Sequence, residues 1–273
     1  SRALRQAAGS VPIVLLNPEV PLPGCDTLSI GNFQGAYAVV RHLVDLGHGP
    51  IATITGPVQN IDARQRLDGY RAALRDAGVE PDPAQEFHGD FTERSGYEAA
   101  RELLRQQGRP TAIFVANDHM VVGVMGALQE AGRAVPDDVA LAGFDDIALA
   151  RYLTPALTTV HVDMFQMGER AVEMLLDPER SSRGTEGRHE VLPTRLVVRG
   201  SSGASRPPRG SAFWEISALR PSVCSGSWSV CSIWRWWRSD RAYKKSSPLM
   251  PTNWRVPSAR RRPASARPAR RRG

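Results

Sequence analysis

The sequence predicts an α/β fold built on a doubly wound parallel sheet. Three observations carry this. Short apolar runs alternate with helical patterns along the chain, the runs are continuously apolar rather than alternating, and each helical pattern ends at a glycine. A strand buried on both faces has no polar side to show, so its run reads as unbroken hydrophobicity. Alternation of such strands with helices is the grammar of a parallel sheet covered by helices on both faces.

The strands come in order as "VPIVLLN" (11–17), "IATITG" (51–56), "AIFVAN" (112–117) and "VALAGFDD" (139–146). The opening "SRALRQAAGS" reads as the end of an amphipathic helix closed by Gly9. Between the strands, residues 33–46 place Phe33, Tyr37, Val40 and Val44 on one stripe, and residues 64–77 do the same with Leu67, Tyr70, Leu74 and Ala77. Residues 93–107 carry Tyr97, Ala100, Leu103 and Leu104, and residues 119–131 carry Val121, Val124, Met125 and Leu128. Spacings of three and four put each set on one helix face. Gly47, Gly78, Gly108 and Gly132 follow, suited to the left-handed stop of a helix. Asp62 with Gln65 resembles a capping box.

Composition divides the chain. Of its 273 residues, 1–200 hold 19 Arg and no Lys against 26 acidic residues, a formal charge of −7. Residues 201–273 hold 14 Arg and 2 Lys against Glu215 and Asp240, a charge of +14. The basic balance therefore belongs to the tail, and the front part does not look like a DNA-contacting surface. All six Trp also fall in the tail, between Trp214 and Trp254. Its Arg/Pro/Ala-rich end predicts a disordered basic segment; the abrupt change of residue usage suggests translation out of frame. Cys25 stands alone in the front part, which suits a reducing compartment. No apolar run reaches membrane-spanning length, and the start lacks the apolar core of a signal peptide.

Ligands of an open parallel sheet sit beyond the carboxyl ends of its strands. The residues there are Asn17, then Asn60, Asp62 and Arg64, then Asp90 and Phe91, then Asn117 and Asp118, then Asp145 and Asp146. Acceptors and donors from Asp and Asn, a planar fork from Arg and a flat apolar face from Phe suit a sugar, and suit a nucleobase or nucleoside nearly as well. Each residue also has a plainer role open to it. Asn117 or Asp118 caps the following helix, Asp146 serves a turn, and Arg64 is a solvated side chain in a first helical turn. Phosphate-loop, nucleophile-elbow and metalloprotease motifs are missing, the six His are scattered without ligand spacing, and Cys224 and Cys231 lack partners for zinc. No enzyme, cofactor or metal is expected.

The strings "RHLVDLGHGPIATITGP", "DARQRLDGYRAALRDAG", "FVANDHMVVGVMGALQEAGRAVPDDVALAGFDDIALARYLTPALTTV" and "VLPTRLVVRG" resemble the effector-binding domain of lactose-repressor/galactose-repressor type bacterial transcription regulators, over about residues 3–200. The resemblance implies the two-lobe fold of periplasmic sugar-binding proteins. Lobe one would take about 1–31 and 164–188, and lobe two 32–163 and 189–200, with lobe one lacking its first two strand–helix units and 201–273 lying outside the domain. It implies effector contacts from Arg64 as the clamping arginine, Phe91 as the stacking aromatic, Asn117 and Asp145 as the hydroxyl-binding pair, and Asn17. Val162 and Met164 follow at the crossover, where many relatives carry Gln in place of Val162. It further implies a cytoplasmic homodimer that senses a small effector, a sugar first of all. Operator DNA would be read by an N-terminal helix-turn-helix not seen in this sequence. A transporter's periplasmic sugar-binding protein shares the fold and is the rival reading.

Overall fold

The computed structural model describes residues 11–106, 110–177 and 187–203. The expectations for the opening helix, for Gly108 and for the basic tail lie outside the described residues.

Two parallel sheets and a two-stranded ribbon organise the fold. The first sheet has order β1-β2-β8, from Val14–Leu16 (β1), Asp26–Ile30 (β2) and His189–Leu192 (β8). The second has order β4-β3-β5-β6, from Ile51–Thr55 (β3), Glu86–His88 (β4), Ala112–Val115 (β5) and Ala140–Ala142 (β6). All pairings within both sheets are parallel. Thr159–His161 (β7) and Arg195–Val197 (β9) pair antiparallel. Isolated bridges Ala142 to Thr158 and Asp145 to His161 attach this ribbon to the β6 edge. The helices are Asn32–Asp45 (α1), Ile61–Asp76 (α2), Glu93–Arg105 (α3), Asp118–Glu130 (α4) and Met164–Leu176 (α5).

The continuous apolar runs have the predicted cause. Successive side chains of a strand point to opposite faces, and both faces of the second sheet are covered. Ile51, Ala112 and Phe114 join one core with Leu28, Val39, Leu43, Tyr70 and Phe144. Ala52, Ile54, Ile113 and Val115 join the other with Phe87, Leu103, Met120, Val124 and Leu128. Helices α1 and α2 pack together, as do α3 and α4. The α3–α4 crossing needs glycine: a β-carbon at Gly123 would collide with the Glu93 carbonyl oxygen, and one at Gly96 with that of Met120.

Several local expectations are corrected. The buried face of α1 is Asn32, Gly35, Ala36, Val39, Val40 and Leu43, so Phe33 and Tyr37 stack at its margin, ring centroids 6.3 Å apart. The α2 start is capped by Asn60, whose side chain accepts from the Ala63 N–H (2.9 Å); Asp62 and Gln65 instead both accept from the Asn32 amide. Gly47, Gly78 and Gly132 adopt the expected positive φ after their helices. Strand β8 begins at His189 and pairs with β2 in the three-stranded sheet. No helix among the described residues is long and apolar enough to cross a membrane.

Candidate functional site

The carboxyl ends of β3, β4, β5 and β6 open on one rim. Its backbone is strained where the candidate side chains sit. The non-glycine residues with positive φ among the described residues are Asn17 (45°), Phe91 (71°), Asp145 (108°) and Asp146 (55°). Each such residue costs on the order of 1–3 kcal/mol, and observed strain of this kind points to a functional site. Phe91, Asp145 and Asp146 lie at this rim, and Asn17 lies at the end of the first sheet.

At the centre stands Arg66, not Arg64. Its side chain is 6% exposed, and Nη1 lies 3.3 Å from Asp145 Oδ1. Nε donates to Asn32 Oδ1 (2.8 Å) and Nη1 donates to the Ala116 carbonyl. The guanidinium lies over the Phe144 ring at 3.8 Å and stands 6.0 Å from the Phe91 ring centroid. Asn32 is fixed in turn by donating to Asp62 Oδ1 (2.8 Å) and Gln65 Oε1 (3.3 Å). Arg64 is exposed on the same helix. The sequence held the signal that separates them. Residues 64 and 66 lie about 200° apart on a helix wheel, and 66 shares its face with buried Gly69, Tyr70 and Ala73.

Asn117 is the N-cap of α4. Its Oδ1 accepts from the Met120 N–H (3.0 Å), and its Nδ2 donates to the Phe91 carbonyl (3.1 Å), which ties the end of β5 to the turn after β4. The Phe91 ring lies against Gly56, where a β-carbon would collide with it. Asp118 is therefore not the cap. It is fully buried and accepts from Thr159 Oγ1 (2.7 Å) and the Ile147 N–H (3.1 Å). Asp146 accepts from Arg199 Nη2 (2.6 Å) and pairs with His161 Nδ1 (3.0 Å).

Charge in this group is held by opposing effects. Burial raises the Asp145 carboxyl above its ordinary range, while Arg66 and then His119 pull it back. Burial likewise raises Asp62 and lowers Arg66, each opposed by its partners. The Asp145 side chain keeps 31% exposure, so an acceptor carboxylate remains within reach of solvent beside a guanidinium already fixed in orientation. Such a pair can receive and donate to adjacent hydroxyls while the Phe91 ring offers an apolar face.

Thus Phe91, Asn117 and Asp145 gather around Arg66. Of the other candidates, Val162 touches that group through its backbone N–H, which donates to the Asp145 carbonyl (3.4 Å); Asn17 and Met164 stand apart from it. Asn17 accepts from the Ile30 N–H (3.1 Å) at the end of the first sheet. Val162 is buried in the core with Val160 and Met167, and Met164 is 64% exposed at the start of α5.

Comparison with known proteins agrees with this architecture. A family profile described as a periplasmic binding protein-like domain matches residues 40–202. The ribose operon repressor of Escherichia coli (strain K12) is 39% identical over 203 residues, covering 74% of this chain and 61% of the repressor. A solved LacI-family protein from Sanguibacter keddieii DSM 10542 is 36% identical with TM-score 0.64, over 71% of this chain and 72% of that one. The chain belongs to the LacI family. A solved LacI-family regulator from Enterococcus faecium with bound ribose matches at 28% identity with TM-score 0.64, over 72% of each chain. The transcriptional regulator CelR in complex with cellobiose matches at 33% identity with TM-score 0.66, over 74% of this chain and 69% of that one. The chain spans about three fifths of the length of that ribose operon repressor.

Proposed function

We propose that residues 11–203 form the ligand-sensing part of a bacterial transcriptional regulator, and that a small polyhydroxylated effector binds where Arg66, Asp145, Asn117 and Phe91 meet. The observation that carries this is the Arg66–Asp145 pair, oriented in advance by Asn32, Ala116 and Phe144. A guanidinium fork beside a carboxylate suits vicinal hydroxyls, and relatives solved with ribose and with cellobiose support a sugar. In the intact regulator, a homodimer working in the cytoplasm, the effector acts by binding two arrangements of the protein with unequal affinity and so shifts operator binding. Operator contact is assigned to other parts of that protein. The matching relatives are regulators, which favours this reading over a transporter's sugar-binding protein, and no catalytic step is assigned to the site.

Calorimetry of the full chain with D-ribose, cellobiose and adenosine tests the reading. A sugar is expected to bind and Asp145→Asn to abolish the heat. Binding of adenosine alone overturns the sugar assignment, and wild-type affinity in Asp145→Asn removes Asp145 from the site.

A further inference from the structure

Asp145 sits in a turn whose backbone is strained at two successive residues, Asp145 and Asp146. Something must hold that turn, and one residue grips it on both sides of Asp145. The Asp118 N–H donates to the Phe144 carbonyl (2.8 Å), one residue before Asp145. The Asp118 carboxylate accepts from the Ile147 N–H (3.1 Å), two residues after it. Its other oxygen accepts from Thr159 Oγ1 (2.7 Å) on β7. A β-carbon at Gly143 would collide with that same oxygen.

We propose that Asp118 is a positioning residue of the site. Its buried carboxylate ties the Asp145 turn and β7 to the start of α4, and so sets where the Asp145 carboxylate stands against Arg66. The inference rests on the effector-site reading above.

The chemistry of the spot makes this hold sensitive to protonation. A fully buried carboxylate resists ionisation, and burial pushes Asp118 up to about 7; the Asp145 and Asp146 carboxylates add to the rise, and the Thr159 and Ile147 hydrogen bonds oppose it. The charged and titratable groups around it are Asp145 and Asp146 on the turn and Arg66 on α2. His119, next to it on α4, acts on Asp145, and His161 on β7 pairs with Asp146, which also holds Arg199. A protonated carboxyl accepts hydrogen bonds less strongly than a carboxylate, so the grip on Ile147 changes as Asp118 titrates.

The test uses the full 273-residue chain without ligand, followed by NMR from pH 5 to 9. In the wild type, the Ile147 amide and the Asp145 carboxyl carbon are expected to share an inflection near neutral pH. Asp118→Asn, which is nearly isosteric, is expected to abolish that inflection at Ile147 while the Phe87 amide on β4 is unchanged. Thr159→Val, which removes one of the two side-chain ties, is expected to keep the inflection and displace its midpoint upward. An Ile147 amide that does not titrate in the wild type, or titrates identically in Asp118→Asn, overturns the proposal. A second arm measures D-ribose affinity, where Asp118→Asn is expected to weaken binding about tenfold and wild-type affinity in this variant overturns the proposal. Absence of ribose binding by the wild type counts against the sugar reading instead, and the ligand-free titration then decides the role of Asp118 by itself.

Discussion

Replacing Arg66 by Met separates it from Arg64, two residues before it on α2, by energy as well as by position. The change removes one partner of a largely buried ion pair, which costs about 3–5 kcal/mol when the remaining charge has no other partner. Asp145 keeps 31% exposure, so water screens part of the loss and the lower figure applies, about 3 kcal/mol. The Asn32 oxygen and the Ala116 carbonyl lose their donor at the same time, while the Met side chain keeps some packing on Phe144. For a domain of this size each kcal/mol moves the melting temperature by about 2–4 °C, so a fall of about 6–12 °C is expected. Arg64→Ala, on the exposed side of the same helix, is expected to stay within about 0.5 kcal/mol of wild type. Thermal and urea unfolding followed by far-ultraviolet circular dichroism reads both variants through the helices rather than through the tail tryptophans. Equal losses in the two variants, or a loss below about 1 kcal/mol in Arg66→Met, would refute the assignment of Arg66 as the preorganised centre of the rim.

Stability is expected to fall as pH rises from about 4 through about 7, because the Asp118 carboxyl is raised in the folded chain from 3.8 to about 7 and the native state binds the extra proton across that window. A displacement of about three pH units corresponds to about 4 kcal/mol; urea midpoints measured across the window should show the slope, and Asp118→Asn should flatten it. Asn117→Asp keeps the oxygen that caps α4 and loses the amide that donates to the Phe91 carbonyl. Its stability is expected to stay within about 1 kcal/mol of wild type, while sugar affinity measured by calorimetry falls about tenfold. Unchanged affinity would leave Asn117 a cap and nothing more.

The sheet and its chemistry were legible to different depths. The runs at β3 and β5 announced themselves because both faces are covered, so every residue of Ile51–Thr55 and Ala112–Val115 is buried. β2 is nearly as buried but does not read as an apolar run, since "DTLSI" begins with a charged residue, which the structure pairs with the Arg188 N–H. The α2 cap lies at Asn60, two residues before the expected Asp62, and of the two caps open to α4 the structure selects Asn117; Asn and Asp both suit the position, and only the helix start decides between them. Arg66 was within reach of the periodicity, which sets it on the buried face of α2 and Arg64 on the exposed one. The role of Asp118 was not, since its partners Ile147 and Thr159 lie 29 and 41 residues away.

Where β5 stops has a consequence for how such a domain can change over generations. Both cores have taken their last contribution from this strand by Ala116, and polar chemistry starts at Asn117. On β6 the last residue of the strand is Ala142, three positions before Asp145. Exchanges of the polar rim residues Asn117 and Asp145 therefore leave the two apolar compartments filled, whereas a one-residue slip within the strand would swap Ile113 and Phe114 between them and wreck both. Such a scaffold can acquire a new guest without having to learn to fold again.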